Sequence, residues 1–406
     1  MTQHNRRIVV TGMGAITAAG KTCDDLWEAA REGRSGVSQL QLERFPTQRI
    51  KCAAHIPDFD PTGFLNAQEL KTTDRFAQFA ILAARQALEQ AGLDIDEPRG
   101  LRTGVIIGSG IGGANTNDDG HYGFYVSKGR TDLMTIAKVM PNAAASQVSM
   151  RYGARGPSLA ISSACASGTQ SIGYGLQMIR AGIIDAALVG GSEALLTPAT
   201  FRAWEVLRVM APEACRPFSA KRNGMVLGEG SAVLMIEELE HALARGATPL
   251  AEIAGYGSTS DASDLLRPTV EGPASSMEAA LADAGLAPEE VGYVNAHGTG
   301  TVLNDISETQ ALRQVFGDHL DALPVSSTKP IHGHALGAAG AIEMVITISA
   351  IRAGVAPPTI NWLEPDPKCT LDPVPNTARP HPINAAISNS FAFGGINATL
   401  AVKAYA

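Results

Sequence analysis

The sequence predicts an α/β fold made of two halves with the same order of elements. Three observations predict it. A helix that ends in glycine and leads into a short apolar strand occurs twice, far apart in the chain. A second helix-to-strand unit also occurs twice, in the same order relative to the first. The chain has 406 residues, 45% hydrophobic and 18% charged, which supplies apolar surface for a large core and argues against disorder.

The elements follow in order. Arg6 and Arg7 precede Ile8-Val9-Val10-Thr11-Gly12-Met13-Gly14. The apolar part is too short for a signal peptide and is broken by Thr11 and glycines, so it reads as a buried strand and turn. Ala87-Leu88-Glu89-Gln90-Ala91-Gly92-Leu93 is a helix end with a glycine cap, and Gly104-Val105-Ile106-Ile107-Gly108 is the strand after it. Ser163 to Gly168 opens a helix that closes at Ile179-Arg180-Ala181-Gly182, and the strand Ala186 to Gly191 follows. The second half repeats this. Leu250 to Gly255 matches the first strand. Ala280-Leu281-Ala282-Asp283-Ala284-Gly285-Leu286 leads to a strand at Val291 to Ala296. His334 to Gly340 opens a helix closing at Ile351 to Gly354, and Ala385 to Ser390 is its strand. The period is too long for a solenoid. The expected units are residues 1–247 and 248–406, joined through Arg245-Gly246-Ala247-Thr248-Pro249. Residues 34–75 and 113–145, rich in Pro, Gly and polar residues, read as surface insertions of the kind that line substrate entrances or subunit contacts.

Composition also excludes function classes. The net charge is -8, which argues against a general nucleic-acid binder. No uninterrupted apolar run of about 18 residues is apparent, so no membrane span is expected. The best contender, Ala338 to Ile351, contains Glu343 and reads as a buried helix. Five cysteines, an odd and low number, do not form a disulfide framework and fit a reducing cytoplasm.

Cys165 stands out among the five. It lies in Ser162-Ser163-Ala164-Cys165-Ala166-Ser167-Gly168-Thr169, between a strand-like segment and a helix. A sulfur at a helix N-terminus meets partial positive charge and free N–H groups, which favour thiolate. A buried inert cysteine is the competing reading for this residue, and the preferred one for the other four. No Cys-x-x-Cys occurs, so no metal is expected. Two of the nine histidines lie in Gly-rich stretches. His297 is in Asn295-Ala296-His297-Gly298-Thr299-Gly300-Thr301, just after a strand, where α/β folds place chemistry. His334 heads the second-half helix that matches the one headed by Cys165. Two related halves would bring those helix starts together. His332 lies close by, and spacing does not choose between the two.

These residues resemble a family. Ser163 through Gly168, Asn295 through Thr301, Lys329 through Gly340, and Ser388-Asn389-Ser390-Phe391-Ala392-Phe393-Gly394-Gly395-Ile396-Asn397 are similar to the motifs of elongating β-ketoacyl-[acyl carrier protein] synthases, including the nodulation-protein-E-like group. The likeness covers essentially the whole chain. It implies a thiolase-type, five-layer αβαβα fold from two pseudo-twofold-related halves. It also implies decarboxylative Claisen condensation of malonyl-carrier with an acyl group held on Cys165, giving a 3-oxoacyl-carrier, with the phosphopantetheine brought by acyl carrier protein and no permanent cofactor.

The resemblance also implies roles. Cys165 is the nucleophile. His297 and His334 are donors to the enolate, and Lys329 orients them and keeps them neutral. The N–H groups of Cys165 and Phe393 form an oxyanion hole. Thr299 and Thr301 face the pantetheine amides. Phe393 gates the acyl pocket, and Phe391 and Phe393 otherwise read as core. Glu343, a carboxylate inside an apolar helix, needs a partner: Lys329, or a monovalent cation held with Asn295, Ser388 and Asn389. A basic patch for the acidic carrier is sought among Lys71, Arg75, Lys128, Arg130, Lys138, Arg208, Lys221 and Arg222. A homodimer, or a heterodimer with a similar chain, is expected, with the strand at Ala186 beside its counterpart. Ala392, Ile396 and the loop Asp261-Ala262-Ser263-Asp264-Leu265-Leu266-Arg267-Pro268 depart from the common pattern and lean towards a specialised pathway. The competing functions are a decarboxylase or acyltransferase on the same scaffold, and a non-catalytic partner subunit.

Overall fold

The computed structural model describes residues 6–129 and 131–405. Ten of its strands form one sheet: β1 (Ile8–Thr17), β2 (Thr103–Gly108), β3 (Ser158–Ile161), β4 (Ala186–Glu193), β5 (Gly230–Glu238), β6 (Ala251–Ser260), β7 (Tyr293–Asn295), β8 (Val325–Ser326), β9 (Ala385–Ala392) and β10 (Ile396–Lys403). Their order is β8-β7-β9-β10-β6-β1-β5-β4-β2-β3. β1 and β6 meet antiparallel at Val9–Glu252 and Val10–Ala251. Outward from that seam the two sides are alike. Each side runs antiparallel, antiparallel, parallel, parallel: β1-β5-β4-β2-β3 on one side and β6-β10-β9-β7-β8 on the other.

Six helices position the rest: α1 (Arg75–Ala91), α2 (Ser167–Arg180), α3 (Pro198–Leu207), α4 (Glu271–Ala284), α5 (Val302–Phe316) and α6 (Ala339–Ala353). Gly92, Gly285 and Gly354 end α1, α4 and α6 in the left-handed region, at φ 59°, 59° and 61°. Strand residues alternate between two apolar layers because the side-chain period of a strand is two. Ile106, Val189, Leu234 and Ile236 face inward with Ile172 and Leu176 of α2, Ile342 and Ile346 of α6, and Leu400 of β10. Val105, Ile107, Leu188, Val233 and Met235 face outward onto Phe76 and Phe79 of α1. In the other half, Val294, Ile387 and Ala401 face Met277 and Leu281 of α4 and Leu312 of α5. The layers are therefore helix, sheet, helix, sheet, helix, with α2 and α6 in the middle.

The stretch Leu336–Ala353 is long and apolar enough to cross a membrane, and 83% of it is buried inside the molecule, as the buried-helix reading expects. Two sequence expectations are corrected. Residues 113–145 are not merely irregular; they carry helices Ala114–Tyr125 and Thr135–Val139. The strand at Ala186 is not an edge, since β4 lies between β5 and β2. Its apolar run reflects burial on both faces. The edge on that side is β3, partly exposed along its length.

Candidate active site

Cys165 sits in a single 3₁₀ turn, Ala164–Ala166, directly before α2. The matching turn of the second half, Leu336–Ala338, precedes α6. Ala164 and Leu336 occupy equivalent places, and both have positive φ, 50° and 40°. That region is strained for residues with a Cβ, and such strain gathers at functional sites. The two turns pack closely. A Cβ on Gly168 would lie 2.8 Å from the Gly337 carbonyl oxygen, and one on Gly191 would lie 2.2 Å from it. Glycine is what lets β4 and the two helix starts converge.

The convergence places His334 Nε2 3.1 Å from Cys165 Sγ. The His297 and His334 rings are 5.4 Å apart, edge to face. Phe391 packs edge-on against His297 at 6.0 Å. All three reactive side chains are buried and open onto one cavity of about 290 Å³. Thr299, Thr301 and Phe393 also line it, as do Arg208, Leu265, Leu266 and Arg267 at its outer part. The Thr299 and Thr301 hydroxyls are 2.9 Å apart. The Phe393 ring stacks on Trp204 of α3 at 5.9 Å.

His332 faces away, with its Nε2 3.1 Å from Thr328 Oγ1. The structure thus separates the two histidines that spacing left open. Burial, with Lys329 second, holds both His297 and His334 well below the ordinary imidazole range, so both are neutral. Burial also pushes the Cys165 thiol up to about 12, with Lys329 pulling the other way. At that value the resting sulfur is a thiol, not the thiolate expected from the helix terminus, and the largest cause is desolvation.

Lys329 is itself buried and pairs with Glu343. Beneath His297 lies a second carboxylate that sequence reasoning missed. Glu308 of α5 accepts the His297 and Gly298 N–H groups, each at 2.7 Å, and so fixes the loop. Burial raises Glu308 and Glu343 each to about 7. Asp305 accepts from the Gly300 N–H at 3.2 Å. Glu193 ties Gly110 N, Gly337 N and Ser109 Oγ together, at 2.6, 3.0 and 3.1 Å. Glu308 and Asp305 lie in Asn304-Asp305-Ile306-Ser307-Glu308-Thr309-Gln310, which reads as a solvated helix face. The one available signal was two acids in the first turns of a helix following a Gly-rich loop.

Near this pair, both side-chain polar atoms of Asn295, Ser388 Oγ and Glu343 Oε2 are buried without a hydrogen-bond partner. Asn295 and Ser388 sit side by side in the β7–β9 register. Asn389 is engaged, accepting from Thr399 Oγ1 at 3.0 Å and reaching Glu308 at 3.5 Å. Among the basic candidates, Arg75 pairs with Glu229, and the buried Arg222 pairs with Asp366. Lys138 pairs with Asp132. Lys71, Lys128, Arg208 and Lys221 are exposed, and Arg130 lies outside the described residues.

The comparisons agree with this geometry. The family model described as beta-ketoacyl synthase, N-terminal domain, matches residues 5–242, and its C-terminal counterpart matches residues 250–363. Nodulation protein E of Rhizobium sp. (strain N33) is 45% identical over 400 residues, 98% of this chain and 99% of that protein. 3-oxoacyl-[acyl-carrier-protein] synthase 2 of Coxiella burnetii is 44% identical over 410 residues, 98% of each. A solved complex of a type II polyketide acyl-carrier protein with its ketosynthase bound to the hexaketide superimposes with a TM-score of 0.91 at 32% identity, covering 99% of this chain and 100% of that one. With its two matched halves, thiolase-type layers and Cys-His-His centre, the chain belongs to the β-ketoacyl synthase family.

Proposed function

We propose that this chain is a 3-oxoacyl-[acyl carrier protein] synthase that condenses a Cys165-bound acyl group with malonyl-carrier, in fatty-acid or polyketide-type synthesis. One observation carries the reading: a cysteine thiol 3.1 Å from a neutral imidazole, with a second neutral imidazole beside it, all three lining one cavity.

The chemistry follows in two stages. In loading, His334 Nε2 takes the Cys165 proton as sulfur attacks the carrier thioester, and returns it to the departing pantetheine thiol. Each thioester carbonyl becomes an oxyanion in passing, and the N–H groups of Cys165 and Phe393 are its proposed donors. In the second stage malonyl-carrier occupies the cavity past Thr299 and Thr301. Loss of CO₂ leaves an enolate whose oxygen accepts from His297 and from His334, the latter now in its Nε2–H tautomer with Nδ1 deprotonated. Its carbon attacks the Cys165 thioester, the bond from that carbonyl to sulfur breaks, the 3-oxoacyl-carrier is released, and the Cys165 thiolate takes a proton from solvent to become the resting thiol. Neutral imidazoles suit this stage, because they stabilise the developing charge without protonating the carbanion. Lys329 favours their neutral form by its charge.

The buried volume behind His297 holds two carboxylates, Glu308 and Glu343, against one ammonium, Lys329. With the unpartnered atoms of Asn295, Ser388 and Glu343, it fits a monovalent cation, which would supply charge balance beneath the site. Asn389 would act one step out, through Glu308. Arg208, exposed at the outer end of the cavity, is the proposed contact for an acidic carrier, with Lys71, Lys128 and Lys221 as further candidates. We further propose a homodimer joined through the β3 edge, two structural units at 1–247 and 248–406, and a cytoplasmic site of action. The last is supported by five buried cysteines present as thiols.

Intact-mass analysis after incubation with a panel of acyl-carriers, followed by malonyl-carrier, tests the reading. The expected result is an acyl adduct that disappears as a 3-oxoacyl-carrier forms. Formation of acetyl-carrier alone would make the chain a decarboxylase, and no adduct at all would make it a non-catalytic subunit.

A further inference from the structure

Spacing predicts no metal site here: no Cys-x-x-Cys occurs in this chain, and Cys165, His297 and His334 lie far apart along the sequence. Folding creates what the sequence lacks. One ligand atom from each of Cys165, His297 and His334 lies within 4.8 Å of the other two, and all three side chains are buried. Tetrahedral zinc, with bonds of about 2.0–2.3 Å, needs its ligand atoms roughly 3–4 Å apart. The sulfur-to-Nε2 distance of 3.1 Å is already near that range, and small side-chain rotations close the rest. We propose that Cys165, His297 and His334 form a zinc site in the unacylated protein, and that zinc there competes with loading of Cys165.

The chemistry of the donors points to the metal. One thiol and two neutral imidazoles, with no carboxylate among them, suit zinc or cobalt and not magnesium or calcium. Neutral imidazoles offer lone pairs without losing a proton. Only Cys165 must deprotonate: the S–H bond breaks, a Zn–S bond forms, and the proton leaves to solvent. The hydrated ion drops from six ligands to four: the thiolate and two imidazole nitrogens bind, five waters leave and one stays. A fourth position remains open to the cavity for water. Lys329 opposes a dication by its charge, but its partner Glu343 and the nearby Glu308 offset it. A sulfur already carrying a carbon substituent is a poor ligand, so a modified Cys165 leaves only two donors. Metal and substituent should therefore exclude one another. The zinc site itself uses no substrate and stands apart from the condensation reading; only its competition with loading rests on that reading.

The test is a cobalt titration of the full chain, read by visible absorption, with zinc then added to displace it. One equivalent of Co²⁺ should give thiolate-to-cobalt charge-transfer and tetrahedral bands, erased by zinc and unaffected by excess Mg²⁺. Cys165→Ala should lose the charge-transfer band. His297→Ala and His334→Ala should each weaken binding by more than the roughly 10–100-fold cost of losing an outer-shell partner. Wild-type protein alkylated at Cys165 with iodoacetamide should lose the band as well, which covers the case of a variant that does not fold. A band unchanged by alkylation or by Cys165→Ala, or no retained equivalent at micromolar metal, would overturn the proposal.

Discussion

At the residue scale, burial holds Cys165, His297 and His334 in their neutral forms. Cys165→Ala should abolish the covalent acyl adduct seen by intact mass, whereas Cys165→Gln should keep CO₂ release from malonyl-carrier, since both imidazoles remain. The structure changes what is expected of the histidines. A thiol raised to about 12 needs a base, and His334 is the one in contact. His334→Ala should therefore slow both single-turnover loading and CO₂ release. His297→Ala should lower CO₂ release by about 10²–10³-fold, as for loss of other oxyanion donors, and leave loading less affected. His332→Ala should do neither, because its ring faces Thr328. Measuring the two stages separately in the three variants checks this; a loading defect confined to His297→Ala would reverse the assignment. Both reactive imidazoles lie well below 6.5, so they add no acid limb to CO₂ release between about pH 6 and 8. A limb in that range that vanished in His297→Ala would contradict their neutral state.

At the element scale, the site depends on two helix starts meeting through glycine. Gly168→Ala places a methyl 2.8 Å from the Gly337 carbonyl oxygen, and backbone cannot move aside cheaply. The expected cost is about 1–3 kcal/mol of stability, with loading reduced as His334 is pushed from Cys165. Thermal melts and single-turnover loading together check it; wild-type values for both would show that the turns are looser than drawn. The loop after β7 depends on Glu308 in the same way. Glu308→Gln replaces one acceptor oxygen with an NH₂ that faces a backbone N–H. It should cost about 1–3 kcal/mol and slow CO₂ release more than loading. The α2 and α6 starts were legible in the sequence because each follows a strand and is rich in small residues. Glu308 was not, because its neighbours on α5 are polar and only the folded loop makes it internal.

At the scale of the whole molecule, charge balance in the core sets how stability varies with pH. Glu308 and Glu343 each have a folded value near 7, raised from 4.5 by burial. Protonated, they favour the fold below their unfolded value, and that contribution is lost as pH rises through about 7. A monovalent cation held beside them, as proposed, would restore it. The gain in Tm from K⁺ over bulky tetramethylammonium should therefore grow between about pH 5 and 8. A gain independent of pH, or no gain, would count against a cation held by these carboxylates. Assembly belongs to this scale too. Sedimentation at micromolar concentration should give a dimer, because β3 leaves a sheet edge to be covered. An active monomer would refute it.

By itself the sequence determined the repeated halves and the glycine-capped helices, and it singled out the candidate cysteine and both histidine loops. These rest on short-range physics: strand and helix periods, the left-handed freedom of glycine, and small residues where backbones must touch. Only the tertiary structure decided the rest. It chose His334 over His332, because two ring directions two residues apart cannot be read from spacing. It moved the free sheet edge from Ala186 to β3, since an apolar strand reads alike whether it is paired to its own sheet or to a partner. It made Cys165 a thiol, because desolvation depends on what surrounds the sulfur on every side. Lastly, it gathered Lys329, Glu343 and Glu308 under His297. Burial of charge is a property of the packed whole, and no local stretch of the chain carries it.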